Sequence, residues 1–172
     1  KQLPVGLVTQ TQVLDNEIVV NGRIDGVDIT QRLALYRSPF SNVKDAVLIE
    51  YTLQNQHAIT KNVGLRIMMD TMLGKNDAAP FRIGSDAIES ERVIKGDDIV
   101  DFWQTFDSLV SPNVIGQGLL RHPPSGLTPP DQLILMNWGS LADNGYQVQS
   151  VPGRSFIRAG ENEPDTALAL FF

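Results

Sequence analysis

The chain contains no cysteine. A disulfide framework, a thiolate-ligated zinc site and a cysteine nucleophile are thereby excluded. Positive charge is scarce: 14 Lys and Arg stand against 20 Asp and Glu, for a net charge of −6. The basic residues are scattered along the chain. Neutralising phosphates needs clustered cations, so this pattern speaks against DNA, RNA and anionic membrane surfaces as partners. No apolar run approaches the ~20 residues that cross a bilayer as a helix. The Gly-x-Ser-x-Gly nucleophile elbow is absent. Gly116-Gln117-Gly118 lacks the third glycine and the following helix of a phosphate loop. It reads instead as a bulge or a close backbone approach within a strand.

What the 172 residues do contain is 42% hydrophobic and 20% charged side chains, enough for one folded domain with a sizeable core. Short runs of period-2 alternation, broken by Gly, Asn, Asp and Pro, dominate. The clearest is 46–54, with Val47, Ile49, Tyr51 and Leu53 on one face and Glu50, Thr52 and Gln54 on the other. The pattern resumes with Val63, Leu65, Ile67 and Met69, and the two runs are expected to be neighbouring strands. Earlier, 17–23 and 27–36 flank Asp25-Gly26, a hairpin signal because glycine accepts positive φ without steric cost. Further strands are expected at 88–94, 114–121, 132–138, 155–158 and 166–172. Strands at such spacings predict a sandwich or barrel rather than βαβ units.

One segment carries a helical period. Ile99, Phe102, Trp103, Phe106 and Val110 form a three-and-four stripe, preceded by Asp97 and Asp98 and stopped by Ser111-Pro112. The expected fold is therefore all-β: a single antiparallel sandwich over 1–172 with one short α-helix around 97–110. The chain starts at Lys1, and its last segment, 166–172, is apolar. It is expected to be a piece of a longer protein.

Candidate sites are few, and each has a plainer counterpart. The stretch 70–77 follows a strand and supplies Asp70, Asn76 and Asp77, oxygen donors of the type calcium takes. The EF-hand spacing is missing and Lys75 intervenes, so the alternative is a polar turn. Glu89 and Glu91 share one face of an expected strand, a start for a carboxylate-lined groove or simply a solvated face. Trp138 and Tyr146 are the aromatics placed to offer a binding platform for a sugar or peptide at the rim. His57 and His122 supply imidazoles in loop surroundings but belong to no catalytic motif.

The segments 47–55 and 63–71, with 101–106 and 165–170, resemble paired strands of poorly characterised bacterial β-sandwich modules. The layout of Tyr51 and Asn55 followed by a strand is similar to the galactose mutarotase-like supersandwich group. That resemblance implies a fold and sugar affinity; neither histidine stands in the family's motifs, so it carries over no catalytic residue. The expected function is a non-catalytic structural or binding module of a larger bacterial envelope or secreted protein. Its partner would be another domain of the same polypeptide or a carbohydrate. The competing class is a carbohydrate-active, mutarotase-like enzyme domain, in which Glu89 or Glu91 would meet another acid or a histidine in one cleft.

Overall fold

The computed structural model describes residues 8–37, 42–121 and 128–172, and within it the chain divides into two compact units, Lys1–Val63 and Gly64–Phe172. His122 lies outside the described residues.

The first unit is one four-stranded antiparallel meander in the order β1-β2-β3-β4, formed by Val8–Leu14, Glu17–Ile24, Val27–Tyr36 and Ala46–Asn55. The expected Asp25-Gly26 hairpin turn is present. Both residues have positive φ, 46° and 72°, the pattern whose twist suits a two-residue hairpin. Among its described residues this unit has no second layer of secondary structure.

The second unit holds two four-stranded sheets. One runs β10-β9-β6-β7: β6 is Phe81–Ile83, β7 Asp86–Ile88, β9 Phe102–Phe106 and β10 Ile115–Leu119. The other runs β5-β12-β11-β8: β5 is Arg66–Asp70, β8 Arg92–Lys95, β11 Gln132–Asn137 and β12 Thr166–Phe171. The central pair β11 and β12 reads as continuous apolar runs, because both of its faces are covered. On one face Leu133, Leu135, Leu168 and Leu170 pack with Phe81, Ile83, Ile88 and Trp103, so the two sheets meet as a sandwich. On the other, Ile134, Met136, Ala167 and Ala169 pack with Leu141. Phe81 sits at the centre of the first cluster, edge-on to Trp103 at 6.3 Å and to Phe156 at 6.0 Å.

The all-β fold with one short helix is as expected, but the helix is elsewhere. Residues 97–110 form a 3₁₀ turn, Gly96–Asp98, and then strand β9; the α-helix, α1, is Trp138–Ala142. The run Phe-Trp-Gln-Thr-Phe satisfies both periods over so short a length. Its aromatic and β-branched residues suit a pleated surface, and strands β6 and β10 flank it to take its backbone hydrogen bonds. Trp103 and Thr105 turn inward, while Phe102 stays exposed and Gln104 bonds Gln117 across the sheet at 2.9 Å. Val110, assigned to the stripe, is exposed.

Two further expectations change. Strand β5 pairs with β12, not with β4, which is an edge strand beside β3. Residues 155–158 make only an isolated bridge, Ser90 to Ser155. Gly116-Gln117-Gly118 runs through β10 in unbroken register, and there Gly118 serves a close approach. A Cβ on it would lie 2.3 Å from the Trp103 ring nitrogen.

Leu135 has no solvent exposure and is bordered by strands on both sides. Leu135→Ala is expected to cost about 2–5 kcal/mol, read as a lowered urea midpoint at unchanged slope.

Candidate functional site

Three groups of residues carry chemistry, and the fold treats each differently. The first is acidic. Asp70 ends β5, Asp77 lies in the following loop, and Asp165 immediately precedes β12. The pairing of β5 with β12 brings the ends of these strands together. The loop is tied down by Thr166, whose N–H donates to the Asp77 carbonyl at 3.0 Å, and by the Thr71 hydroxyl, which donates to the Thr166 carbonyl at 2.9 Å. One carboxylate oxygen from each of Asp70, Asp77 and Asp165 falls within 4.8 Å of the others.

Like charges so placed disfavour the ionised state. Burial, and then Asp77, Asp70 and Glu161, push the Asp165 carboxyl up to about 6, with Arg158 acting the other way. Its Oδ1 is shielded and accepts no hydrogen bond. The spacing also suits a hard cation, since two oxygens at about 2.4 Å from calcium are at most about 5 Å apart. Asn76, the other residue singled out by the sequence, is not part of this group. Its Nδ2 donates to the Asp107 carbonyl at 2.9 Å and its Oδ1 accepts from the Ala78 N–H at 3.0 Å. Asp165 takes that place, and no local pattern marks it, because it lies about 90 residues downstream.

The second group is the glutamate pair. Glu89 and Glu91 do not share a strand face: they fall between β7 and β8, Glu89 exposed and Glu91 buried. Glu91 Oε1 accepts from Arg154 Nε at 2.9 Å and Nη2 at 2.7 Å, and Oε2 accepts from the Val151 N–H at 2.9 Å. These three bonds hold the 151–154 loop. His57 is similarly engaged, its Nε2 lying 3.0 Å from the Asp25 carbonyl over the β2–β3 turn.

The aromatics are separate from both. Trp138 opens α1, which is capped by Asn137 Oδ1 accepting from the Ser140 N–H at 2.8 Å. Tyr146 is part-exposed, but its hydroxyl donates to the Phe172 carbonyl at 3.2 Å and its ring stands edge-on to Phe171 at 5.4 Å. Tyr146 borders a depression of about 410 Å³ in which Asp131 is the only acid and Trp138 takes no part.

The third group is the apolar face of the first unit. Opposed residues in an antiparallel ladder project to the same side. The register therefore gathers Val13, Ile18, Leu33 and Ile49 in one cross-strand row, flanked by Leu35 and Val47 and, on the other side, by Val20, Gln31 and Tyr51. Ile24, Ile29 and Leu53 extend the face along the strands to Val27, which is buried, and among the described residues no Asp, Glu, Lys or Arg lies on it. The opposite side carries the ion pairs Arg32 with Glu17 at 2.7 Å, Arg32 with Glu50 at 3.4 Å, and Arg23 with Asp28. Much of the apolar side is open to solvent: Val13 is 75% exposed, Val47 58% and Leu35 51%.

No family model, curated protein or solved structure matches the chain.

Removing Arg154 strands the buried Glu91 charge. Arg154→Ala is expected to lower stability by about 3–5 kcal/mol in urea unfolding. The raised Asp165 carboxyl has the opposite sign from a salt-bridged acid: its contribution is present below about pH 4 and is lost as the pH rises through about 6. Asp165→Asn is therefore expected to gain thermal midpoint over the wild type as the pH passes from about 4 to 7. Parallel curves for the two proteins would contradict the clustered arrangement.

Proposed function

We propose that this chain is a non-catalytic binding module of a larger bacterial envelope or secreted protein, which engages its partner through the uncharged face of the β1–β4 sheet. The observation that carries the reading is the exposure of that face, with Val13, Leu35, Val47 and Ile49 all open to solvent. Contiguous exposed apolar surface rimmed by polar residues is a mark of interaction sites.

The placement of the polar groups supports the same reading. An acid-base enzyme needs two groups converging on one cleft. Here Glu91 is committed to Arg154, Glu89 lies in solvent and His57 is bonded at a hairpin turn, while the acids that do converge, Asp70, Asp77 and Asp165, have no histidine in their group. Among the described residues no helix is long and apolar enough to cross a membrane.

The test is lysine tolerance. Val47→Lys and Ile49→Lys, unfolded in urea at low protein concentration, are expected to stay within about 1 kcal/mol of the wild type, as surface positions do. A loss of several kcal/mol at both positions would make this face part of the core and overturn the reading.

A further inference from the structure

We propose that the partner on this face is a second copy of the chain, docked sheet to sheet about a two-fold axis. The inference rests on the binding-module reading and names its occupant. Its grounds are the area, the charge and the symmetry of the surface.

Area comes first. The four strands have 7, 8, 10 and 10 residues. At about 3.4 Å per residue and about 4.8 Å between strands, the sheet measures roughly 30 by 19 Å. Two such faces offer about 1,100 Å² in projection, and side-chain relief adds to this, against the ~1,200–2,000 Å² of a stable interface. In projection a face-to-face pair thus falls just short of the lower bound, and the relief of the side chains has to supply the rest.

Charge does not oppose the contact. The net charge of −6 belongs to residues 64–172, with 14 Asp and Glu against 8 Lys and Arg, while residues 1–63 hold six of each. Among the described residues the apolar face presents aliphatic side chains with Thr11, Gln31, Tyr51 and Asn55 as its polar members, and no Asp, Glu, Lys, Arg or His. Its reverse carries Glu17, Glu50 and Asp28, paired with Arg32 and Arg23. Docking the uncharged faces turns those acids outward on both sides of the pair.

Symmetry completes the argument. A two-fold contact uses one patch on both subunits, so the patch must be complementary to itself. A twisted sheet of aliphatic side chains meets that condition, because two equal sheets pack about 10 Å apart at roughly −30° with their side chains interdigitated. The pair forms a sandwich whose core is the layer that the first unit lacks among its own described residues.

The experiment is sedimentation velocity on the full 172-residue chain from about 1 to 100 µM, comparing wild type, Leu35→Lys, Ile49→Lys and Thr52→Lys. Leu35 and Ile49 lie on the apolar face; Thr52 lies on the reverse and is exposed. The expected result is a reversible dimer for wild type and Thr52→Lys. In Leu35→Lys and Ile49→Lys, two-fold symmetry places each new charge in the interface twice, and association is expected to weaken by tenfold or more. Circular dichroism checks that each variant folds, and Val47→Lys replaces any face variant that does not. A dimer that persists undiminished in the face variants, or one lost only in Thr52→Lys, overturns this interface. A wild-type monomer whose face tolerates lysine overturns the second copy as occupant and leaves the binding-module reading standing. A wild-type monomer unfolded by lysine on this face overturns both.

Discussion

The pairing of β11 with β12 is the constraint on which the second unit depends. Leu133 to Met136 and Ala167 to Leu170 are buried on both faces of their sheet, so each face must be covered by something else. The leucine side, with Leu133, Leu135, Leu168 and Leu170, takes the second sheet through Phe81 and Trp103. The side carrying Ala167 and Ala169 takes the short helix through Leu141. Asn137, where β11 passes into the helix, connects the two tasks: its Oδ1 caps α1 and its Nδ2 bonds the Phe156 carbonyl and Glu161 at 2.9 and 2.7 Å. Because the same pairing sets the start of β12, it also sets where Asp165 stands relative to Asp70.

The acidic residues of this chain meet three different environments, and each has a different consequence. Glu91 is out of water and is neutralised by Arg154, so it serves packing rather than reaction. Asp165 is partly buried and also crowded by like charges, and its carboxyl holds its proton to about pH 6. On the β1–β4 sheet the acids are confined to one side and paired with arginine, leaving the other side uncharged. Two of these arrangements are ion pairs; the third gathers carboxylates without a cation among them.

Much of the strand map could be read from the residues. The Asp25-Gly26 hairpin, the alternation of β4 and the strands at β10, β11 and β12 all lie where local pattern places them. Two residues of the acidic group, Asp70 and Asp77, were legible as oxygen donors beside a strand end. Asp165 was not, because nothing near it in sequence records that β12 lies beside β5. The aromatic stripe at 99–110 misled because tertiary pairing overrode it: β10 and β6 flank residues 102–106 and take their backbone hydrogen bonds, which the stripe itself does not record.

By itself, then, the sequence determined the class of structure and the sidedness of strands such as β4, since alternation and turn chemistry act between near neighbours. It also determined which chemistries are absent for want of cysteine and of clustered positive charge. Only the tertiary structure decided which strands are neighbours, that Glu91 is internal while Glu89 is not, and that the apolar side of β4 stays in solvent. Those outcomes depend on contacts across many tens of residues, where burial is settled by whatever the rest of the chain brings up against a given face.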